Sequence, residues 1–117
     1  MREDITGATI RSEVRDDVVI LRMSGQMREM GADTLREDLD KLLEDGHYKL
    51  VFDMTDISFI SSVGLGQMMR AFRAATSNGG YVRIVNPQPL VEEVFRFTKL
   101  HTLIHIYPTV EAAIAGG

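Results

Sequence analysis

The sequence predicts an α/β domain built on a mixed, mostly parallel sheet, with an N-terminal β-hairpin and flanking helices. Short β-rich or apolar runs alternate with segments whose apolar residues repeat at helical spacing, which gives the order β-β-α-β-α-β-α-β-α. Strands that alternate with helices favour parallel pairing. The 117 residues, 44% hydrophobic and 26% charged, have the size and composition of one globular domain spanning residues 1–117.

The opening hairpin is predicted from β-rich runs at residues 9–14 and 18–23. Asp16 and Asp17 separate the two runs, which is the spacing of a tight antiparallel turn. Residues 25–31 begin and end with glycine and interrupt the pattern. We therefore expect a turn at residues 25–31, ahead of the first helix.

The first helix is predicted from four leucines at helical spacing, which precede a stop at Gly46: Leu35, Leu39, Leu42 and Leu43. Thr34 and Glu37 have the spacing of a capping box. Asp33 or Thr34 is therefore expected to open this helix.

A central strand and a second helix follow. Residues 50–52 form a continuous apolar run that ends at Asp53, as expected for a strand covered on both faces. The second helix has apolar residues at i, i+3, i+4 and i+7 and is stopped by residues 78–80: Leu65, Met68, Met69 and Phe72. Residues 81–85 are predicted as the next strand.

The C-terminal third of the chain supplies the last elements. Prolines at 87 and 89 precede a third helix with the apolar stripe Leu90, Val91, Val94 and Phe95. Residues 104–107 are predicted as a final strand. Thr109 is placed to cap a short helix that runs through Ala115.

Composition narrows the range of functions. The chain has no cysteine, which excludes disulfides and thiolate chemistry and suits a reducing, cytoplasmic location. A net charge of −4, from 13 Lys and Arg against 17 Asp and Glu, argues against nucleic acid as a partner. The acidic start leads into no apolar run, so we expect neither an export signal nor insertion into a membrane.

The segment from Asp53 to Gly66 carries most of the functional information. Ser61 and Ser62 lie where the second helix should begin, so one hydroxyl can accept a hydrogen bond from a free helical N–H group. Alternatively, one of these serines accepts a phosphoryl group, because a helix N-terminus stabilises an anion. Gly64 and Gly66 have no side chains, so we expect them to leave the surface around the serines without protruding groups.

The residues Phe59-Ile60-Ser61-Ser62-Val63-Gly64-Leu65-Gly66 resemble the signature of anti-sigma-factor antagonists of the STAS domain family. The element order and Pro87 before the third helix are also similar to that family. The resemblance implies a partner switch, in which the unmodified domain binds an anti-sigma factor that is also a serine kinase. It implies Ser62 as the phosphoacceptor, with Ser61 as a second candidate, and a separate phosphatase that restores the active form. ATP and magnesium would belong to the kinase, so we expect no cofactor for this chain.

The surface that would bind the partner is expected around the same motif and the turn after the second strand: Gln26, Met27, Arg28, Ser61, Ser62, Val63, Gly64, Gln67 and Arg70. Met27 and Met30 would suit such a surface because thioethers are pliable. Arg70 and Arg73 would share the outer side of the second helix. Well-known family members have aspartate in place of Ser61 and acidic residues where this chain has Gln26 and Arg28, so Arg28 is placed to pair with a phosphate.

Other functions are less well supported by the sequence. A constitutive scaffold, such as the STAS subunit of a lipid-transport complex, would use the serine only as a cap. An enzyme is not expected, since no base, nucleophile and anion site converge, and Gly64-Leu65-Gly66 lacks the third glycine of a dinucleotide-binding motif. His101 and His105 have no further ligands near them, so we expect no metal site.

Overall fold

A five-stranded sheet forms the centre of the computed structural model, which describes residues 7–116. The strands are β1 (Ala8–Arg15), β2 (Val18–Met27), β3 (Lys49–Ile60), β4 (Tyr81–Val85) and β5 (Ile106–Tyr107), and they are adjacent in that order. The helices are α1 (Glu29–Glu44), α2 (Ser62–Ser77), α3 (Pro89–Phe97) and α4 (Val110–Ala115). β1 pairs antiparallel with β2, and every other pairing is parallel, so the predicted mixed sheet is confirmed.

Apolar residues on the two sides of the sheet form two separate clusters. One cluster joins β2, β3 and β4 to the inner sides of α1, α2 and α3 and includes Leu21, Leu39, Phe52, Met68 and Phe95. A smaller cluster packs α4 onto the opposite side through Val18, Ile20, Val51, Val85, Val110 and Ala113. Three helices on one face and one on the other therefore cover the sheet.

The predicted hairpin is confirmed, and its turn is tight. Arg15 pairs with Val18, which leaves Asp16 and Asp17 as the turn, and Asp16 has a positive φ of 57°. Aspartate tolerates this left-handed conformation better than most residues.

The predicted turn at residues 25–31 is wrong. β2 continues to Met27, since Gln26 and Met27 pair with Phe59 and Ile60 of β3, and α1 begins two residues later at Glu29. The expected caps are also wrong, because Arg28 is the N-cap residue and the Thr34 hydroxyl lies inside the helix, donating to the Met30 carbonyl at 3.3 Å. Pairing with a neighbouring strand overrides the local preference of the glycines for a turn.

β3 is much longer than its apolar run suggests. It continues seven residues past Asp53 to Ile60, although β4 pairs only with Lys49–Asp53. The extension, which leads directly to Ser61 and Ser62, pairs with β2 alone. The start of α2 is therefore held by β2 and β3 rather than by the whole sheet.

The C-terminal predictions are largely confirmed. β4 has the predicted bounds, Pro89 is in the first turn of α3, and the Thr109 hydroxyl caps α4 by accepting from the Ala112 N–H at 3.1 Å. The last strand is shorter than predicted, because a 3₁₀ turn at Leu100–Thr102 leads to Ile104, which is buried outside the sheet. Among the helices of residues 7–116, none combines the length and apolarity needed to cross a membrane.

Candidate functional site

Two helices begin side by side at the carboxyl ends of β2 and β3. Met27 and Ile60 are neighbours in the sheet, and the backbone N–H of Ser61 donates to the Met27 carbonyl at 2.8 Å. Arg28 is the N-cap residue of α1, and Ser61 is the N-cap residue of α2. Two segments far apart in sequence, residues 26–28 and 61–64, thus form one surface region.

Ser61 is the capping residue of α2. Its side-chain oxygen accepts a hydrogen bond from the Gly64 N–H at 3.1 Å, and only 9% of the residue is exposed. The interpretation of a capping serine is therefore confirmed for Ser61. The Ser61 hydroxyl is therefore largely hidden from solvent.

Ser62 occupies the first helical position of α2 and is exposed. It follows the cap directly and so belongs to the first turn, where some backbone N–H groups have no partner inside the helix. The positive end of the helix dipole would stabilise negative charge added there. Of the two candidate serines, Ser62 is thus the accessible one.

The two glycines of the motif have different surroundings. A β-carbon at Gly64 would lie 2.9 Å from Met27 Cγ and 2.9 Å from Ile60 Cγ1, so Gly64 allows α2 to approach the strand ends closely. A β-carbon at Gly66 would meet no atom within 4 Å. The expectation that both glycines keep the surface low is corrected for Gly64, which is buried.

Exposed apolar side chains occur on the segments that meet at the starts of α1 and α2. Phe59, Val63 and Met30 are exposed by 41%, 39% and 55%, which is high for such side chains. Met27, which we expected to offer a docking side chain, is instead only 1% exposed and packs in the core. Its burial follows from strand alternation and from the close approach of Gly64.

Arg28 lies across the ring of Phe59. Its guanidinium carbon is 5.1 Å from the ring centroid, and its Nε donates to Gln26 Oε1 at 3.1 Å. Both Gln26 and Arg28 are exposed. Gln26, Arg28 and Phe59 therefore form a cationic and aromatic cluster at the ends of β2 and β3.

Arg70, which we predicted to be part of the docking surface, is partly exposed and lies in an ion pair between two helices. It pairs with Asp40 of α1 at 2.8 Å and donates through Nε to Gln67 Oε1 at 3.0 Å, which links α1 to α2. Arg73, one turn later, is exposed. The two arginines thus differ in environment, although both are on α2.

Sequence reasoning missed an apolar groove of about 350 Å³ between α2 and the segment after α3, lined in part by Leu65, Gly66, Met69, Leu100 and Leu103. Ser62 precedes Gly66 by four residues and Met69 by seven. It therefore lies on the same face of α2 as the groove, at the N-terminal end of the helix. The local signal was weak, because Leu65 and Met69 also fit the core stripe of the helix.

His101 and His105 lie close together after α3. His101 Nδ1 is 3.3 Å from the Phe95 carbonyl, and both histidines line one cavity of about 310 Å³ together with Arg96 and Tyr107. Across residues 7–116, the structure contains no cluster of three or more His, Cys, Asp or Glu residues suited to a metal ion.

The mixed sheet, the helices on its faces and the serine motif at the start of α2 define a class of small α/β domain. The STAS domain family model matches residues 9–113, and the chain belongs to that family.

Curated relatives cover most of the chain. A protein from Thermotoga maritima is 29% identical over 103 residues, which is 87% of this chain and 91% of that protein. The anti-sigma-B factor antagonist of Bacillus subtilis is 28% identical over 94 residues, covering 80% of this chain and 85% of the relative.

Several solved structures have a fold similar to that of this chain. A crystal structure from Thermotoga maritima is 27% identical with a TM-score of 0.84, covering 92% of both chains. The unphosphorylated anti-sigma factor antagonist SpoIIAA has a TM-score of 0.82 at 24% identity, covering 92% of this chain and 95% of that one. The phosphorylated form of SpoIIAA from Bacillus has a TM-score of 0.74 at 23% identity, covering 92% and 98%.

Proposed function

We propose that this protein is an anti-sigma-factor antagonist that binds an anti-sigma factor/serine kinase in the cytoplasm and is released when Ser62 is phosphorylated. The observation that carries the proposal is an exposed serine at the first position of α2, in a chain that belongs to the STAS family. A separate phosphatase would return the protein to its binding form.

The surface around Ser62 suits a protein partner. Phe59 and Val63, on either side of Ser62 in sequence, and Met30 in the first turn of α1 are exposed apolar residues, and an apolar groove runs beside Leu65 of α2. Interfaces are built from such apolar centres with polar groups at the rim. A partner bound here would cover the Ser62 hydroxyl.

Phosphorylation would oppose this binding through charge. A phosphoryl group adds about −1.5 to −2 charges and three acceptor oxygens at neutral pH. The helix N-terminus would stabilise the group while the surface stays in water, but a docked partner would have to desolvate it. The modified fold would thus remain stable while its complex is weakened.

Ser61 is the poorer acceptor of the two. Its oxygen already accepts the Gly64 N–H, and its exposure is low. Modification there would remove the cap and place a dianion against buried side chains, at a cost that Ser62 avoids.

The relatives support the proposal. The Bacillus subtilis relative is named an anti-sigma-B factor antagonist, and it spans most of this chain. SpoIIAA, a chain of the same fold, has been solved in both unphosphorylated and phosphorylated forms, so this fold accommodates a phosphoryl group.

Phosphorylation can be tested with candidate anti-sigma kinases from the source cell. The protein is incubated with each kinase and ATP, and the modified residue is located by mass spectrometry. We expect phosphate on Ser62 and none in Ser62→Ala. Absence of label at Ser62 with every cognate kinase would contradict the proposal.

Binding to the kinase that passes this test separates a switch from a constitutive scaffold. Ser62→Asp should bind at least tenfold more weakly than Ser62→Ala, a difference of about 1.4 kcal/mol. Ser77→Asp adds the same charge to an exposed residue at the other end of α2 and should bind like the wild type. Equal binding of the two Ser62 variants would instead favour a scaffold, such as a subunit of a lipid-transport complex.

A further inference from the structure

Among residues 7–116, the recorded contacts of the Arg28 side chain are with neutral groups. Its guanidinium contacts the Gln26 side-chain oxygen and the face of Phe59. Within residues 7–116, none of the ion pairs includes Arg28. Cation–π contacts at exposed sites are weak, so this cation is available to a stronger acceptor.

The chain path brings Arg28 next to Ser62. The hydrogen bond from the Ser61 N–H to the Met27 carbonyl, 2.8 Å long, joins the residues that directly precede them. Neighbouring strands lie about 4.8 Å apart, and Met27 and Ile60 are paired at the ends of two such strands. The long side chain of Arg28 can therefore reach a group on the Ser62 oxygen by rotating about its own bonds.

We infer that Arg28 binds the phosphoryl group of modified Ser62 and leaves Gln26 and the Phe59 ring to do so. The exchange is favourable because a guanidinium binds a phosphate dianion through two charge-assisted hydrogen bonds to charged oxygens, which are stronger than the two that Arg28 now donates to the neutral Gln26 amide oxygen. The inference deepens the proposed function and rests on it for its biological role. It concerns what the modified residue does within this chain.

Binding of the phosphoryl group by Arg28 changes how phosphorylation acts on the partner-binding surface. Part of the added negative charge is neutralised inside the protein, so repulsion of the partner is reduced. At the same time the cation leaves Phe59, whose exposed ring belongs to the surface beside Ser62. Phosphorylation then rearranges a surface that extends to the end of β2, rather than acting only at the modified serine.

The test uses the full chain with phosphoserine inserted at position 62 during translation, so that no kinase is needed. The second pKa of the phosphoserine, about 6 in a free peptide, is measured by ³¹P NMR titration. We expect this pKa to be about 0.5 unit lower with Arg28 present than in Arg28→Gln, since a nearby cation favours the dianion.

Arg73→Gln removes the same charge from an exposed position three turns along α2 and should titrate like the wild type. Arg28→Lys, which keeps the charge but not the planar fork, should retain part of the shift. Arg28→Gln should remain folded, because this residue caps α1 through its carbonyl, which accepts from Ala32 N–H at 2.8 Å.

A second readout follows the Phe59 ring. Its proton signals should move on phosphorylation in the wild type and stay in place in Arg28→Gln, where no cation covers the ring. Equal phosphate pKa values in the wild type and Arg28→Gln would overturn the inference. Failure of every kinase to modify Ser62 would overturn the proposed function instead and would leave this measurement unaffected.

Discussion

The backbone N–H of Ser61 donates to the carbonyl of Met27 at 2.8 Å, and this bond ties the first of the two adjacent serines to the end of β2. It lies where two parallel strands end and two helices begin. The contact brings the chain at Ser62 close to the chain at Arg28, which the inferred binding of the phosphoryl group by Arg28 requires.

Replacing Ser61 with alanine should destabilise the fold, because the Gly64 N–H loses its acceptor. The expected loss is about 1 kcal/mol of unfolding free energy, the usual cost of removing a serine cap. Urea denaturation measures it, with Ser62→Ala as the matched control, expected within about 0.5 kcal/mol of wild type. Ser61→Asp should keep most of the stability, since aspartate caps as well as serine. A larger loss from Ser62→Ala than from Ser61→Ala would reverse our assignment of the cap.

Gly64→Ala and Gly66→Ala should have opposite effects on stability. A methyl group at Gly64 meets Met27 and Ile60 at 2.9 Å, whereas one at Gly66 meets nothing within 4 Å. We expect a stabilisation of about 0.5–1 kcal/mol at Gly66 from improved helix propensity. At Gly64 overpacking of about 1–3 kcal/mol outweighs this gain. Thermal denaturation of both variants tests the difference, and equal melting temperatures would mean that α2 is not closely packed at Gly64.

Asp38→Asn should stabilise the protein at neutral pH. Burial raises the pKa of Asp38 above its usual value, and the Glu37 charge adds to this, although Lys41 acts in the opposite direction. The folded state therefore holds this proton more tightly, and the stability that the carboxyl contributes is lost as pH rises from about 4 through the raised pKa.

Solvent screening of this partly exposed group should keep the gain in Asp38→Asn below about 1 kcal/mol at pH 7. Near pH 3, where the carboxyl is largely protonated in both states, the variant and the wild type should have similar unfolding free energies. Urea denaturation at both pH values provides the comparison. A stabilisation that is the same at both pH values would show that charge on Asp38 is not its cause.

Arg83→Lys should destabilise the C-terminal part of the fold. The Arg83 guanidinium lies 3.6 Å from the Tyr81 ring centroid and donates to the Ala113 carbonyl at 2.8 Å, near the end of α4. Lysine keeps the charge but loses the planar stacking, so we expect a loss of about 1–2 kcal/mol. Arg73→Lys, at an exposed position, is the control and should be neutral. Hydrogen exchange should show faster opening of α4 in Arg83→Lys, and unchanged exchange there would argue against this role of Arg83.

The amino-acid sequence alone determined the class of fold and the motif. Alternating apolar runs and helical stripes fixed the element order, and local chemistry located β4 and the cap at Thr109, because these features depend on residues close together in the chain. The same reasoning wrongly predicted a turn at residues 25–31. The preference of glycine for turns is a local property, whereas the pairing of Gln26 with Phe59 joins residues far apart in the chain.

Only the tertiary structure decided how the two serines differ. Ser61 and Ser62 are identical in type and adjacent, so local pattern could not say which one caps the helix and which one faces solvent. That choice follows from the end of β3, whose pairing with β2 through Met27 sets the first turn of α2. The burial of Met27 and the approach of Arg28 to Ser62 arise from the same contact between distant segments, which no local periodicity encodes.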